Sequence, residues 1–318
     1  MNPSSKFKSY INVFFILCSA FMAIVALLNF HVDPYNELGR NTIGIYFSTE
    51  RQDKSNIEHI DHDALIIGSS RVANIDAGDL RYYQFYNASF ASALPEEISA
   101  FLAAHAHHQK LVLIGIDFYM FNEFAFEWQE IDQWEQNQFP WYEYLLSLRV
   151  FKDSLNALRY ARMKKDTPVS ARRQEPTAPT LKQDFHPEKF ISWIELFQNR
   201  NYNHYQLSTR RIEKIVQTYR LLESRGIKTM IFINPLHPQI KNLIINTPLK
   251  KTYHQWILSL QKEIPRLYNL SDPVWGFGQT TQYKINDPSH YTAQTGAAFI
   301  NIILEKEKDQ GLSTGTGN

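Results

Sequence analysis

Ile11 to Phe30 (INVFFILCSAFMAIVALLNF) carries no charge, and only Asn12, Ser19 and Asn29 in it are clearly polar. About 20 such residues form a helix long enough to cross a hydrocarbon core. Lys6 and Lys8 precede the run, and Asp33 and Glu37 follow it. The positive-inside rule then keeps residues 1–10 in the cytoplasm and exports the rest. A cleaved signal peptide is the competing reading, but it has a shorter apolar core and a small-x-small cleavage site. Asn29-Phe30-His31-Val32-Asp33-Pro34 is a poor site of that kind, so an uncleaved anchor is expected. No second run is long and apolar enough to span.

After a polar stretch, 31–63, read as a stalk, the pattern changes to short apolar runs alternating with amphipathic segments. Ala64–Ile67, ending at Gly68, reads as a strand buried on both faces. Gln84–Asn87 is a weaker second strand and Leu111–Ile114 a third. Between them Pro95-Glu96-Glu97 opens a helix with proline in its first turn and acids at the positive end of its dipole. Ser208 caps a later helix whose Ile212, Ile215, Val216, Tyr219 and Leu222 recur at helical spacing, with Gly226 in the C′ place. Lys228–Ile233 is the fourth strand, Thr252–Ile264 a helix, Arg266–Leu270 a short fifth strand and Thr292–Lys306 the closing helix.

This alternation predicts an α/β fold: a doubly wound parallel sheet of about five strands between helical layers, occupying 64–306. The pattern breaks at about 118–205, which reads as an insertion within that domain, not a separate one. It includes a polar stretch, Lys164 to Asp184, read as a mobile loop, and residues 307–318 read as a disordered tail. In such sheets ligands sit at the carboxyl ends of the strands, so the loops after Ile67, Asn87, Ile114, Ile233 and Leu270 are where chemistry is expected.

Composition narrows the classes. Lys and Arg (33) nearly balance Asp and Glu (32), which argues against a nucleic-acid partner. Cys18 is the single cysteine, so an intrachain disulfide and a cysteine-based zinc site are excluded. No phosphate loop, dinucleotide fingerprint or EF-hand pattern is present, and no cofactor is implied.

Two motifs carry chemistry. Gly68-Ser69-Ser70-Arg71 follows the first buried strand, and such a serine projects from the carboxyl edge of the sheet. Alone, it reads first as a capping turn. Asn286-Asp287-Pro288-Ser289-His290 precedes the last helix. Asp and His three apart can place a carboxylate on one imidazole nitrogen, leaving the other to act on a serine as general base. Alone, that motif reads equally as an aspartate turn beside a surface histidine.

Taken together, at the first and last strand-to-helix junctions, the motifs resemble those of the SGNH (GDSL-like) hydrolase superfamily. The likeness covers roughly Ala64 to Phe299 with the insertion left out. That superfamily has a Gly-Asp-Ser block after its first strand and an Asp-x-x-His block before its final helix. Here Ser69 stands in place of the aspartate. The resemblance implies that Ser70 is the nucleophile and that Asp287 and His290 complete its triad. The Gly-Ser-Ser variant is similar to membrane-anchored proteins of cell-envelope acyl transfer, including the teichoic acid D-alanyl transfer protein and alginate O-acetylation proteins. It implies a single-pass inner-membrane protein with its domain on the periplasmic side. An envelope polysaccharide or other acylated substrate, and a membrane-embedded acyl-donor partner, are implied too.

The middle blocks depart from the family. Ser92 takes the place of a glycine whose backbone N–H serves the oxyanion hole, with the Ser70 N–H as the other backbone donor. Asp117 takes the place of an asparagine donor. An ionised aspartate only accepts hydrogen bonds, so Asp117 is protonated or structural, or Asn122 stands in for it. Arg71, Asp117 and His237 are the candidate substrate contacts; Arg71 reads equally as an ion-paired residue, and His237 as one that shapes its loop. His105, His107 and His108 are expected to serve a helix C-terminus rather than a metal. Trp128, Trp134, Trp141 and Tyr142 are expected to pack the insertion, with sugar stacking or bilayer contact as the alternatives.

The leading expectation is an exported, tethered serine esterase or O-acyltransferase. A catalytically inactive subunit that binds glycan or scaffolds an acylation complex is the rival reading, motivated by Asp117. A soluble nucleotide-binding protein is a weaker third.

Overall fold

The structure, a computed structural model, describes residues 3–35, 40–43, 60–125, 141–163 and 184–313, together with positions 38, 54 and 57. In chain order the main elements are α1 (Pro3–Val32), β1 (Ala64–Ile67), α2 (Ser70–Ala73), β2 (Phe85–Asn87), α3 (Pro95–His105), β3 (Leu111–Ile116), α4 (Trp141–Leu146), α5 (Leu148–Met163), α6 (Pro187–Asn201), α7 (Thr209–Ser224), β4 (Lys228–Ile233), α8 (Pro238–Ile245), α9 (Leu249–Glu263), β5 (Leu267–Asn269), β6 (Tyr283–Lys284), β7 (Asp287–Tyr291) and α10 (Ala293–Ser313).

The chain divides into two compact units. One combines Met1–Thr49 with Gln136–Leu181, and the other Glu50–Glu135 with Lys182–Asn318. This corrects the reading of 118–205 as an insertion within a single domain. Its middle part joins the N-terminal segment, and its ends stay with the sheet.

The larger unit is built on a five-stranded, all-parallel sheet in the order β2-β1-β3-β4-β5. The alternation of side chains across a strand assigns each face its layer. From β1, Leu65 and Ile67 join a cluster with Ile98, Phe101, Ile215, Leu222 and Trp256 of the helices on one side. Ala64 and Ile66 join Val72, Phe299, Ile300 and Ile303 on the other. Every residue of β1 and β3 is buried, as the unbroken apolar runs require. All five expected strands form, and β4 has the expected bounds. The helix signals act as read: Ser208 accepts a hydrogen bond from the Arg211 N–H at the start of α7, and Gly226 follows its end with φ +76°.

Two differences concern the C-terminal part of the chain. α10 runs to Ser313, so the tail expected from 307 is helical at its start; residues 314–318 lie outside the described residues. The Asp287–His290 motif lies on β7, paired antiparallel with β6, not in an open loop. β6 is two residues long and Pro288 follows Asp287, so no alternating run announces this hairpin.

The smaller unit contains α1, whose Tyr10–Val32 stretch is long and apolar enough to cross a membrane. Its C-terminal end, where the expected stalk would begin, is packed. Asn29 and Asp33 are fully buried. The Asn29 amide donates to the carbonyl oxygens of Leu145 (2.9 Å) and Ser147 (3.1 Å) and accepts from the Ser154 hydroxyl. Asp33 accepts from the Tyr144 hydroxyl at 2.8 Å and from the backbone N–H groups of Leu38 and Arg40. A buried carboxylate is tolerated because such donors replace its water. Trp141 (67 % exposed) and Tyr142 (50 %) do not pack a core, contrary to expectation. Trp128, Trp134 and the stretch 164–183 lie outside the described residues.

Candidate active site

Gly68 follows β1 directly and Gly115 lies in the neighbouring β3. A Cβ on Gly68 would come within 2.7 Å of the Gly115 carbonyl oxygen and of the Val72 side chain; one on Gly115 would strike Val72 at 2.5 Å and Phe232 at 2.6 Å. Both positions therefore require glycine so that α2 can seat on the strand ends. Ser69 caps α2 by accepting from the Arg71 N–H. Ser70 is the first helical residue and is part-exposed at the carboxyl edge, between the strands where the sheet order reverses, which is where doubly wound sheets take their ligands.

Three residues expected to act together are brought together. His290 Nε2 lies 2.8 Å from Ser70 Oγ, and His290 Nδ1 lies 2.7 Å from Asp287 Oδ2. An ionised carboxylate only accepts, so Nδ1 carries the proton and Nε2 faces the serine hydroxyl as an acceptor. Burial pushes the Asp287 carboxyl up, but hydrogen bonds from His290 and Ser289 outweigh it and hold its pKa at about 2. Ser289, which sequence analysis does not single out, completes this arrangement. Its N–H and hydroxyl both reach Asp287 Oδ1, at 3.0 and 2.5 Å. The only signal for it in the sequence is its place two residues after an aspartate, where a side-chain-to-backbone turn forms.

Beneath the triad lies a buried polar hub. Asp117, 2 % exposed, accepts from Arg71 Nη1 (2.6 Å), the Ser69 hydroxyl (2.9 Å) and the Asn234 amide (3.1 Å). Arg71 Nε donates to the Ser289 carbonyl oxygen at 2.6 Å, so one guanidinium links the serine turn, the end of β3 and the histidine strand. The Tyr291 hydroxyl donates to Asn234 Oδ1. Asn234, which follows β4, is the second participant that the sequence does not single out.

Several expected roles are corrected. Arg71 and Asp117 are not available to substrate, because each is buried and paired with the other. Asn122 supplies no free amide: its NH2 donates to the Asn201 carbonyl oxygen and its oxygen accepts from the N–H groups of Phe124 and Gln206. It ties the segment after β3 to the segment before α7, where Asn122 and Leu207 form a β-bridge. His237 is buried, and its Nδ1 caps α8 by accepting from the Gln239 N–H at 3.2 Å. Burial, then the positive charge of Arg71, lower its pKa to about 4, so it is neutral. Ser92 adopts φ +55°, the left-handed region that favours glycine, consistent with a glycine-type turn at that position. Among the described residues the backbone N–H groups of Ser70 and Ser92 meet no acceptor. His107 meets the Ala104 carbonyl oxygen at the end of α3, as expected of a histidine at a helix terminus.

A groove of about 440 Å³ adjoins the triad, lined by Lys189, Trp193 and Leu196 of α6 and by Lys284, Asn286 and Asp287 of the hairpin. No family model and no curated protein matches the chain.

Proposed function

We propose that the chain is a membrane-tethered SGNH-type serine esterase or O-acyltransferase acting through an acyl-serine intermediate. The observation that carries this reading is the continuous chain Ser70 Oγ–His290–Asp287, with links of 2.8 and 2.7 Å, at the carboxyl edge of a parallel sheet. His290 takes the proton of Ser70 as the hydroxyl oxygen attacks an ester carbonyl. Asp287 holds the ring in the required tautomer and stabilises the imidazolium. The Ser70 and Ser92 N–H groups receive the oxyanion, and each donor of this kind is worth about 3 kcal/mol. His290 then returns the proton to the leaving alcohol. Water or a sugar hydroxyl takes the acyl group from Ser70, and exclusion of water from the groove decides between hydrolysis and transfer. With α1 as an uncleaved anchor and the sheet unit on the extracytoplasmic side, the substrate is an acylated envelope glycan or a related ester, with a membrane-embedded acyl donor as partner.

A second reading, a glycan-binding or scaffold subunit without turnover, draws on Asp117. A carboxylate committed to Arg71 stands where the family carries an amide donor. One experiment separates the two: the full chain in lipid nanodiscs is treated with a fluorophosphonate serine probe, beside Ser70→Ala and His290→Ala. Labelling of the wild type that both substitutions abolish supports the catalytic reading. A folded wild type that stays unlabelled overturns it in favour of the binding subunit.

A further inference from the structure

The smaller unit carries an apolar corner that none of its own described residues covers. Along α4 and into the start of α5, Trp141 is 67 % exposed, Tyr142 50 %, Leu146 44 % and Leu148 62 %. On a water-facing helix pair these side chains would be costly, whereas tryptophan and tyrosine flanked by leucine match the boundary between headgroups and acyl chains.

The height of this corner along α1 is fixed by named contacts. Asn29 donates to the carbonyl oxygens of Leu145 and Ser147, which pins the corner to a point three residues, about 4.5 Å, inside the end of α1 at Val32. The Phe151 ring meets the Phe21 ring at 6.4 Å. Phe21 lies eight residues, about 12 Å, further in than Asn29. Around that level α1 exposes Leu17, Phe21, Met22, Ile24 and Leu27, each between 49 and 63 %. The apolar surface of the corner is therefore continuous with the lipid-facing surface of the helix. Within the corner α5 exposes Arg149, and beyond it Lys152, Arg159 and Arg162, a basic set suited to anionic headgroups.

We propose that the α4–α5 corner, residues 141–151, is seated in the outer leaflet at the headgroup–acyl boundary, so that the smaller unit holds the membrane by an interfacial wedge as well as by a span. The occupant of this surface is lipid with anionic headgroups. The inference rests on the reading of α1 as a membrane span, and the test keeps the two apart.

The full chain with Cys18→Ser receives one spin label at a time, at Leu148→Cys, Trp141→Cys, Phe14→Cys or Gln261→Cys. It is reconstituted in nanodiscs of phosphatidylcholine and phosphatidylglycerol. All four positions are exposed, so the substitutions leave packing intact. Collision with molecular oxygen reports lipid, and collision with a water-soluble nickel complex reports water. At Leu148→Cys and Trp141→Cys the nickel accessibility should fall from the level at Gln261→Cys towards that at Phe14→Cys. If Phe14→Cys is shielded while both corner positions match Gln261→Cys, the wedge is wrong and the span stands. If Phe14→Cys itself meets nickel freely, the span reading fails and the wedge fails with it.

Discussion

Asp287, on the β6–β7 hairpin, and Asp117, just after β3, are two carboxylates of one site, and their surroundings hold them in opposite ways. Asp287 is part-exposed and held by Ser289 and the imidazole of His290, whose proton can move. Asp117 is buried against a guanidinium that never loses its charge, with a hydroxyl and an amide filling its second oxygen. The first arrangement can accommodate a charge that appears on the ring during reaction. The second is a fixed joint, and through Arg71 it holds the Ser289 backbone on which the first depends. A carboxylate near a nucleophile is thus a poor guide to catalysis until its partners are known.

The contrast can be broken by substitution, the largest effect coming at the exposed member. Asp287→Asn should leave the fold intact and reduce the rate of probe labelling on the order of 10⁴-fold, as an amide there favours the wrong tautomer. Labelling at the wild-type rate would deny Asp287 its role. Asp117→Asn should instead act on the fold, leaving Arg71 buried without its counter-charge at a cost of about 3–5 kcal/mol in denaturant unfolding. Equal stability losses for the two variants would erase the distinction between joint and reacting group.

A third change tests what burial, and after it the Arg71 charge, does to His237. His237 has a pKa of about 4 in the folded chain against an ordinary 6.5, so the unfolded chain binds its proton first. Stability should therefore be full above pH 6.5 and decline as pH falls towards 4, by at most about 3 kcal/mol. His237→Asn should flatten that part of the stability–pH curve, and an unchanged slope would assign the acid sensitivity elsewhere. The smallest effect is expected at Ser92. Ser92→Gly removes a left-handed non-glycine residue and should raise stability by about 1 kcal/mol without loss of labelling.

How much of this could be read in advance depended on range. The five strands were legible because a strand buried on both faces announces itself as a short apolar run, as Ala64–Ile67 and Lys228–Ile233 do. The triad was legible because Ser70 and the Asp287–His290 pair each occupy a junction that the alternation predicts. The hub was not. Arg71 and Asp117 are 46 residues apart and Asn122 bonds to Asn201 across 79, and nothing local distinguishes a paired side chain from a free one. The packing of Asp33 was hidden for the same reason. Asp33 looks like a solvated residue until Tyr144, 111 positions later, is placed against it.

That last separation bears on the order of synthesis. The outer end of α1 leaves the ribosome with Asn29 and Asp33 already made, while Tyr144, Leu145, Ser147 and Ser154 have yet to be translated. At about 5–20 residues per second the interval lasts roughly 5–25 s. Throughout it, the Asn29 amide and the Asp33 side chain lack the partners that enclose them in the folded chain. The strands β1 to β3 emerge within the loop that this closure completes. Closing so long a loop costs only slowly growing chain entropy, so the delay is one of timing rather than of free energy.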